Sequence, residues 1–314
     1  MNVLVTGGAG FIGSSLAERL VADGHPTRVL DDLSTGYLEN VPPGAELIEG
    51  DVADAEVVTK AVEDVDVVFH LAAHRAVLRS VEHPLATDRA NTHGTLTVLN
   101  AARLAGARRV VYVSSSSVYG GAAERPTPES AATIPRSPYA VSKLAGEHYS
   151  RVFWELYGLE TVALRYFNVY GPRQRPDSAY AAVVPLFIEA LSRREPAIVH
   201  GDGEQSRDFT YISDAVAATL AAATAPSERC AGRAFNVGGG EVHSLLDLLA
   251  VLGRIMGVEP ARVHVEPRAG DVRHTEADIS ALRHDLGHDP AVPFADGLAQ
   301  TVAWFTARQQ STTA

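Results

Sequence analysis

The segment Thr6-Gly7-Gly8-Ala9-Gly10-Phe11-Ile12-Gly13 constrains this chain more than any other. It stands between Asn2 to Thr6, which reads as a buried strand, and Phe11 to Ala22, which reads as a helix. Gly7 permits a tight turn, Gly10 leaves the backbone open to a pyrophosphate, and Gly13 lets the helix close on the strand. Free N–H groups and the helix dipole at such a turn attract phosphate. Asp31 ends the second strand eighteen residues beyond Gly13, near the spacing of a carboxylate that accepts hydrogen bonds from a ribose diol. With Asp32 alongside and no adjacent Arg, a 2′-phosphate would meet negative charge, which favours NAD over NADP. Asp32 itself reads as a solvated loop residue.

The alternation continues through the first half of the 314 residues. Strands are expected at Thr27–Leu30, Glu46–Glu49, Asp66–His70, Arg109–Ser114 and Thr161–Arg165. Helical periodicity covers Leu85–Ala105 and Ser137–Tyr157. Strands spaced by helices of this length form βαβ units, and runs such as Val110-Val111-Tyr112-Val113 suit a parallel sheet covered on both faces. The expectation is an α/β fold: a Rossmann-like, doubly wound parallel sheet in residues 1–170 and a smaller interleaved domain in 171–314. The pattern changes at Gly171–Ala179, a loop rich in Pro and Arg. Beyond it a helix is expected at Ala181–Arg193, a strand at Arg262–Glu266 and a closing helix at Phe294–Ala307. Phe209–Ile212 and Ala234–Val237 read as strands returning to the first domain, within a region near 206–238.

Composition excludes several classes. A formal net charge of −11 argues against a general nucleic-acid binder. The single cysteine, Cys230, rules out an intrachain disulfide and makes a cysteine metal site improbable. His284 and His288 have helical spacing, but Gly287 and Pro290 suggest a helix end and no third ligand is evident, so no metal is expected. No apolar run approaches the ~18 residues that span a bilayer. A strand starting at Asn2 leaves no room for a signal peptide, so the chain is expected to be cytoplasmic.

Of the 27 basic residues two are lysine, Lys60 and Lys143. Lys143 follows Tyr139 by one helical turn, on one face. A free phenol has a pKa of ~10 and is a poor base at neutral pH. A nearby ammonium and an oxidised nicotinamide would stabilise its phenolate, at ~1.4 kcal/mol per unit. Ser114 to Ser117 end the preceding strand and offer hydroxyls to orient a substrate oxygen.

Taken together these motifs resemble the extended short-chain dehydrogenases/reductases, specifically the NAD-dependent nucleotide-sugar epimerases and dehydratases. The resemblance runs nearly end to end. It rests on Thr6–Gly13, Gly50-Asp51-Val52, His70-Leu71-Ala72-Ala73, Ser114–Gly120, Tyr139–Lys143 and Arg165–Gly171. Gly201-Asp202-Gly203-Glu204, Arg207-Asp208-Phe209 and Arg268–Arg273 complete it. It implies that Asp51 and Val52 hold the adenine of NAD, that Phe11 and Ile12 join the phosphate turn, and that Leu71, Ala72 and Ala73 line the cofactor path. Arg75 would stand near the phosphates, and Tyr139 and Lys143 would also contact the cofactor. Ser115, Tyr139 and Lys143 occupy the catalytic positions. Ser115, Asn168, Val184, Arg207, Arg268, Asp271 and Thr275 match substrate-binding positions, and Arg forks suit a diphosphate.

Dehydratases of this group carry an acid pair just after the catalytic Ser/Thr; here Ser116 and Ser117 stand there. The chain therefore resembles a 4-epimerase, in which Tyr139 removes the 4-hydroxyl proton, a 4-keto sugar turns over about its diphosphate, and C4 is inverted. The loop from Arg173 through Pro185 is similar to that of bacterial UDP-N-acetylglucosamine 4-epimerases, and some uronic-acid epimerases share a related Arg-Pro-Asp loop. Thr275 stands four residues after Asp271, where family members with large aromatics exclude an N-acetyl group. The small threonine implies room for UDP-GlcNAc/UDP-GalNAc beside UDP-Glc/UDP-Gal; the competing reading is that Thr275 only extends a strand. Other readings are a UDP-uronic acid 4-epimerase, a dehydratase or decarboxylase of the same family, or a non-catalytic dinucleotide sensor. The intact Ser115, Tyr139 and Lys143 argue against a sensor. Family members pair equivalent helices into a four-helix interface, which implies a homodimer through Leu85–Ala105 and Ser137–Tyr157.

Overall fold

The computed structural model describes residues 1–122, 124–174, 181–267 and 272–313. The first half runs β1 (Val3–Thr6), α1 (Phe11–Ala22), β2 (Thr27–Asp31), β3 (Ala45–Glu49), α2 (Ala55–Ala61) and β4 (Val67–His70). It continues through α3 (Val77–Glu82), α4 (Pro84–Asp88), α5 (Gly94–Leu104), β5 (Arg109–Ser115), α6 (Pro138–Tyr157) and β6 (Glu160–Tyr166). The second half holds β7 (Val169–Tyr170), α7 (Val183–Ser192), β8 (Ala197–His200), β9 (Ser206–Asp208), β10 (Thr210–Tyr211), α8 (Ile212–Thr224) and α9 (Ser227–Cys230). Then follow β11 (Arg233–Val237), β12 (Val242–Ser244), α10 (Leu245–Met256), β13 (Arg262–Val265), α11 (Ser280–Asp285) and α12 (Phe294–Thr313).

Among the described residues, seven parallel strands form one sheet in the order β11-β6-β5-β4-β1-β2-β3. This is the doubly wound, Rossmann-like architecture that the βαβ alternation predicts. Successive side chains of β1 show why the strands are continuously apolar. Val3 and Val5 pack with Leu16 and Leu20 of α1 on one face, while Leu4 packs with Val98 and Leu99 of α5 on the other. Strand order reverses between β1 and β4, which opens a crevice at their carboxyl ends.

Local chemistry sets the ends of the helix that matters most. Ser137 caps α6 by accepting from the Ala140 N–H at 3.1 Å, and Pro138 opens the first turn. Gly158 closes it at φ 69°, a left-handed conformation that favours glycine. Gly146, in the middle, has no room for a side chain: a Cβ there would lie 2.2 Å from the Tyr112 hydroxyl. Helix α6 therefore sits close against β5.

Two sequence expectations change. Leu85–Ala105 is not one helix: a π turn at Arg89–His93 separates α4 from α5. Its cause is tertiary, since Asn91 in that turn bonds to the chain at His74 and to Ser142. Phe209–Ile212 does not return to the main sheet. Only Thr210–Tyr211 is strand, paired with β7, and Ile212 already starts α8. Arg233–Val237 does return, pairing with β6 along its whole length. The remaining short strands pair outside the sheet, β8 with β13 and β9 with β12. Among the described residues no helix is long and apolar enough to cross a membrane.

Candidate active site

The crevice beside β1 is built by backbone that tolerates no side chains. Gly7 has φ 69°, and a Cβ on it would meet Ala72 N at 2.7 Å. One on Gly13 would meet Gly7 O at 2.1 Å, and one on Gly10 would be 3.2 Å from the same oxygen. Phe11 and Ile12 open α1 at the same wall. Thr6 ties the turn to the next strand: its hydroxyl pairs with His70 Nδ1 at 2.7 Å and accepts from the Ala72 N–H at 3.2 Å. Leu71, Ala72, Ala73 and Arg75 line the opposite side.

Asp31 is almost wholly buried and accepts from the Ala9 and Leu33 N–H groups, both at 2.9 Å. Burial pushes its carboxyl above the usual range despite those two donors, with Asp32 adding repulsion. Further hydroxyl donors would relieve it. Asp51 is the opposite case. It is partly buried, but the Ala53 N–H at 2.8 Å and the Arg89 guanidinium at 2.7 Å hold its carboxyl below the ordinary value. Buried Val52 lies beside it. A side-chain-free turn at a helix start, facing a buried carboxylate at the end of β2, fits a dinucleotide.

At the far end of the same cavity lie Ser115, Tyr139, Lys143 and Asn168. Lys143 is buried and donates to Val113 O at 2.8 Å. Burial lowers its ammonium to about 7, while Glu147 one turn on acts the other way. The Tyr139 side chain faces Ser115 across the same cavity. Burial pushes the Tyr139 phenol upward; the Ser115 side chain and the Arg75 guanidinium pull it down. The sequence pattern assigns that pull to Lys143; the structure adds the Arg75 guanidinium, from the loop after β4, beside the same phenol. His70 lies beneath, buried and lowered to about 3, chiefly by burial and also by Lys143.

A second cavity meets the first at Asn168, Val169 and Gln174. Val184 and Arg207 line it, with Phe187, Phe209 and Leu245 as apolar wall. Asn168 Nδ2 donates to Asp208 O at 3.0 Å and to the Thr275 hydroxyl at 3.1 Å. Thr275 also pairs by its backbone with Ser206 and Asp208, so it does extend β9, and it lines neither cavity. Arg268 and Asp271 lie outside the described residues, as do Arg175 through Tyr180.

Sequence reasoning missed several residues. Gln174 lines both cavities; its Nε2 donates to Val169 O at 3.2 Å. Its place in the Arg173–Pro176 loop was the available signal. Asn91 accepts from the His74 N–H at 2.7 Å and donates to Ser142 Oγ at 3.0 Å, joining the cofactor-side loop to α6. Nothing in its local sequence marks it. Among the described residues lining either cavity, the carboxylates are Asp31, Asp32 and Asp51, all at or just beyond the ends of β2 and β3.

A family model described as "NAD dependent epimerase/dehydratase family" matches residues 3–238. A UDP-glucose 4-epimerase of Mycolicibacterium smegmatis is 40% identical over 317 aligned residues, covering 99% of this chain and 100% of that one. The crystal structure of Thermotoga maritima UDP-glucose 4-epimerase with UDP-glucose superposes with a TM-score of 0.94 at 36% identity, covering 98% of this chain and 100% of that one. The UDP-N-acetylglucosamine 4-epimerase of Methanobrevibacter ruminantium, in complex with UDP-N-acetylmuramic acid, gives 0.92 at 38% identity, covering 98% of each.

Proposed function

The chain belongs to the NAD-dependent epimerase/dehydratase family, and from that membership we propose that it inverts C4 of UDP-sugars, taking UDP-Glc/UDP-Gal and the N-acetylated pair. It is an enzyme of this family and uses NAD. The observation that carries the proposal is the grouping of Ser115, Tyr139 and Lys143 where the two cavities meet, with no lining carboxylate at that end among the described residues. A dehydratase needs acid chemistry there. An epimerase needs one group to take a proton and return it.

Tyr139 fills that role. Its oxygen accepts the proton of the sugar 4-hydroxyl and later gives one back. Ser115, beside the phenol in the same cavity, orients the sugar oxygen. Lys143 and Arg75 stabilise the phenolate. The Gly7 turn and Asp31 would hold NAD, which would supply the hydride acceptor and donor when bound. Inversion requires the sugar to present both faces of C4, so the enzyme must grip the nucleotide and leave the sugar free to turn. The second cavity suits that grip: an apolar slot with the Arg207 guanidinium and the Asn168 amide at its edges, with Val184 in its wall. Arg268 and Asp271 complete the proposed substrate set.

The homologous Thermotoga and Methanobrevibacter enzymes support a UDP-sugar and an N-acetylated one respectively. We further propose a homodimer through α5 and α6, whose outer faces expose Leu104, Leu156 and Tyr157. Incubating the NAD-loaded protein with UDP-Glc, UDP-GlcNAc and UDP-GlcA, and reading products by NMR, tests the assignment. Conversion of the first two supports it; conversion of UDP-GlcA alone assigns a uronic-acid epimerase, and a 4-keto-6-deoxy product assigns a dehydratase.

A further inference from the structure

Behind the reactive groups lies a buried ion pair that the reaction as described does not use. Glu147 and Arg165 have side chains 7% and 8% exposed and meet through three hydrogen bonds, at 2.7, 3.0 and 3.2 Å. The Glu147 carboxylate also accepts from Ser114 Oγ at 2.5 Å. Arg165 donates onward to the Tyr119 hydroxyl at 2.8 Å, and Tyr119 donates to Asn236 at 2.7 Å. A buried pair of this kind is weak as a stabiliser, because desolvation offsets the attraction, so its position calls for a reason.

The position is specific. Three contacts dock α6 on β5: Lys143 Nζ on Val113 O, the Tyr112 hydroxyl on Lys143 O, and Ser114 Oγ on Glu147. Gly146 sits among them and brings helix and strand together. The first and third contacts grip consecutive residues, Val113 and Ser114, immediately before Ser115. Lys143 and Glu147 are one turn apart, so each fixes the other's distance from the strand end.

We propose that Glu147, clamped by Arg165, is a positioning residue: it sets the strand end carrying Ser115 against Tyr139 and supplies the negative charge that Lys143 faces. The inference rests on the epimerase reading only for its kinetic test. The charged or titratable groups around Glu147 are Lys143 on its own helix, Tyr112 on β5 and Arg165 on β6; Lys143 also faces His70 on β4. Burial drives Lys143 towards neutrality and Glu147 opposes it. Without Glu147, Lys143 loses its proton at lower pH and Tyr139 ionises at higher pH.

Two double variants separate charge from position, each removing both Glu147 and Arg165 so that neither ion of that pair is left buried without the other. Glu147→Gln/Arg165→Met keeps an acceptor for Ser114. Glu147→Leu/Arg165→Met removes that as well. In the NAD-loaded enzyme the Gln variant should shift the alkaline limb of the kcat profile to lower pH, with KM within about two-fold. The Leu variant should show the same shift and a further kcat loss of about 10- to 100-fold at every pH. Profiles that superimpose on the parent, or a loss confined to KM, would overturn the inference. If neither double variant folds, Glu147→Asp decides: it retains charge but retreats from Ser114, so kcat should fall while the alkaline limb stays. A parental kcat or a displaced limb there contradicts the proposal. If the parent turns over no UDP-sugar, the functional reading fails by itself. The inference is then read by phenolate absorbance, with Tyr139→Phe as the blank. Tyr139 should ionise at higher pH in the Gln variant, and coincident titrations would refute it.

Discussion

The Asn168 amide donates to the Thr275 hydroxyl across 3.1 Å, and the same amide nitrogen donates to Asp208 O. One side chain just beyond the end of β6 thus holds β9, the strand that carries Arg207, and the segment that carries Thr275. Asp208, fully buried, anchors that segment again by accepting from the Gly239 N–H at 2.6 Å and the Ala277 N–H at 3.1 Å. Whatever replaces Thr275 is felt at Asn168, where the two cavities join.

Thr275→Tyr should press on Asn168 where the two cavities join and depress kcat/KM for UDP-GlcNAc/UDP-GalNAc about ten-fold or more while sparing UDP-Glc/UDP-Gal, since crowding a packed position typically costs ~1–3 kcal/mol. Parallel kinetics on both pairs check it. Equal losses on both would mean that Thr275 serves only to hold Asn168 and β9.

Tyr139→Phe keeps the ring and removes the titrating oxygen. Turnover should drop by about 10²- to 10⁴-fold, the usual contribution of a positioned acid–base group. NAD should remain bound, and the melting temperature should change little, because the ring and its packing are kept and only the hydroxyl facing Ser115 is lost. Activity near the parental level would remove Tyr139 as the base.

His70 gives the protein an acid-labile core. Its two nitrogens bond Thr6 and Thr95 at 2.7 and 2.9 Å, and burial lowers its folded pKa from 6.5 to about 3. The unfolded chain binds that proton first. The neutral ring's contribution is complete above pH ~6.5 and lost as pH falls from there towards 3, at up to about 1.4 kcal/mol per unit. Denaturant melts between pH 7 and 5 should show this slope, and His70→Gln should lack it. A slope unchanged by the substitution would place the acid sensitivity elsewhere.

Leu104 and Leu156 are 69% and 70% exposed on neighbouring helices α5 and α6. Beside them runs a shallow groove lined by Leu96, Tyr149, Val152 and Phe153. Apolar surface of this kind marks an interface. Light scattering at micromolar concentration should give a dimer, and Leu104→Glu with Leu156→Glu should give a folded monomer. A parental monomer would refute the assembly.

The sheet was legible because its strands are covered on both faces and read as apolar runs; α1 spans the residues that periodicity assigns, Phe11–Ala22. The glycine turn was legible because its requirements are steric and local. The π turn at Arg89–His93 was not, because its cause is Asn91 reaching His74 and Ser142, residues distant in sequence. Helix α8 hid behind Thr210–Tyr211: an alanine-rich helix buried on several sides has little periodicity to read. Tyr139, Lys143 and Glu147 share one helix face by spacing alone. What makes Glu147 more than a surface acid is Arg165 on another strand, and spacing carries no trace of that pairing. Arg75, which adds a second cation beside the phenol, left no such trace either, because it comes from a loop after β4.

In the proposed function Tyr139, Ser115 and Lys143 invert C4 of a UDP-sugar with no net redox change. Its most direct test is proton NMR of the NAD-loaded protein with UDP-glucose and, separately, UDP-N-acetylglucosamine. The account predicts that each converts to a mixture with its C4 epimer, UDP-galactose or UDP-N-acetylgalactosamine, and that neither does so with Tyr139→Phe. Recovery of both sugars unchanged from the parent protein, or a dehydrated or decarboxylated product, would contradict it.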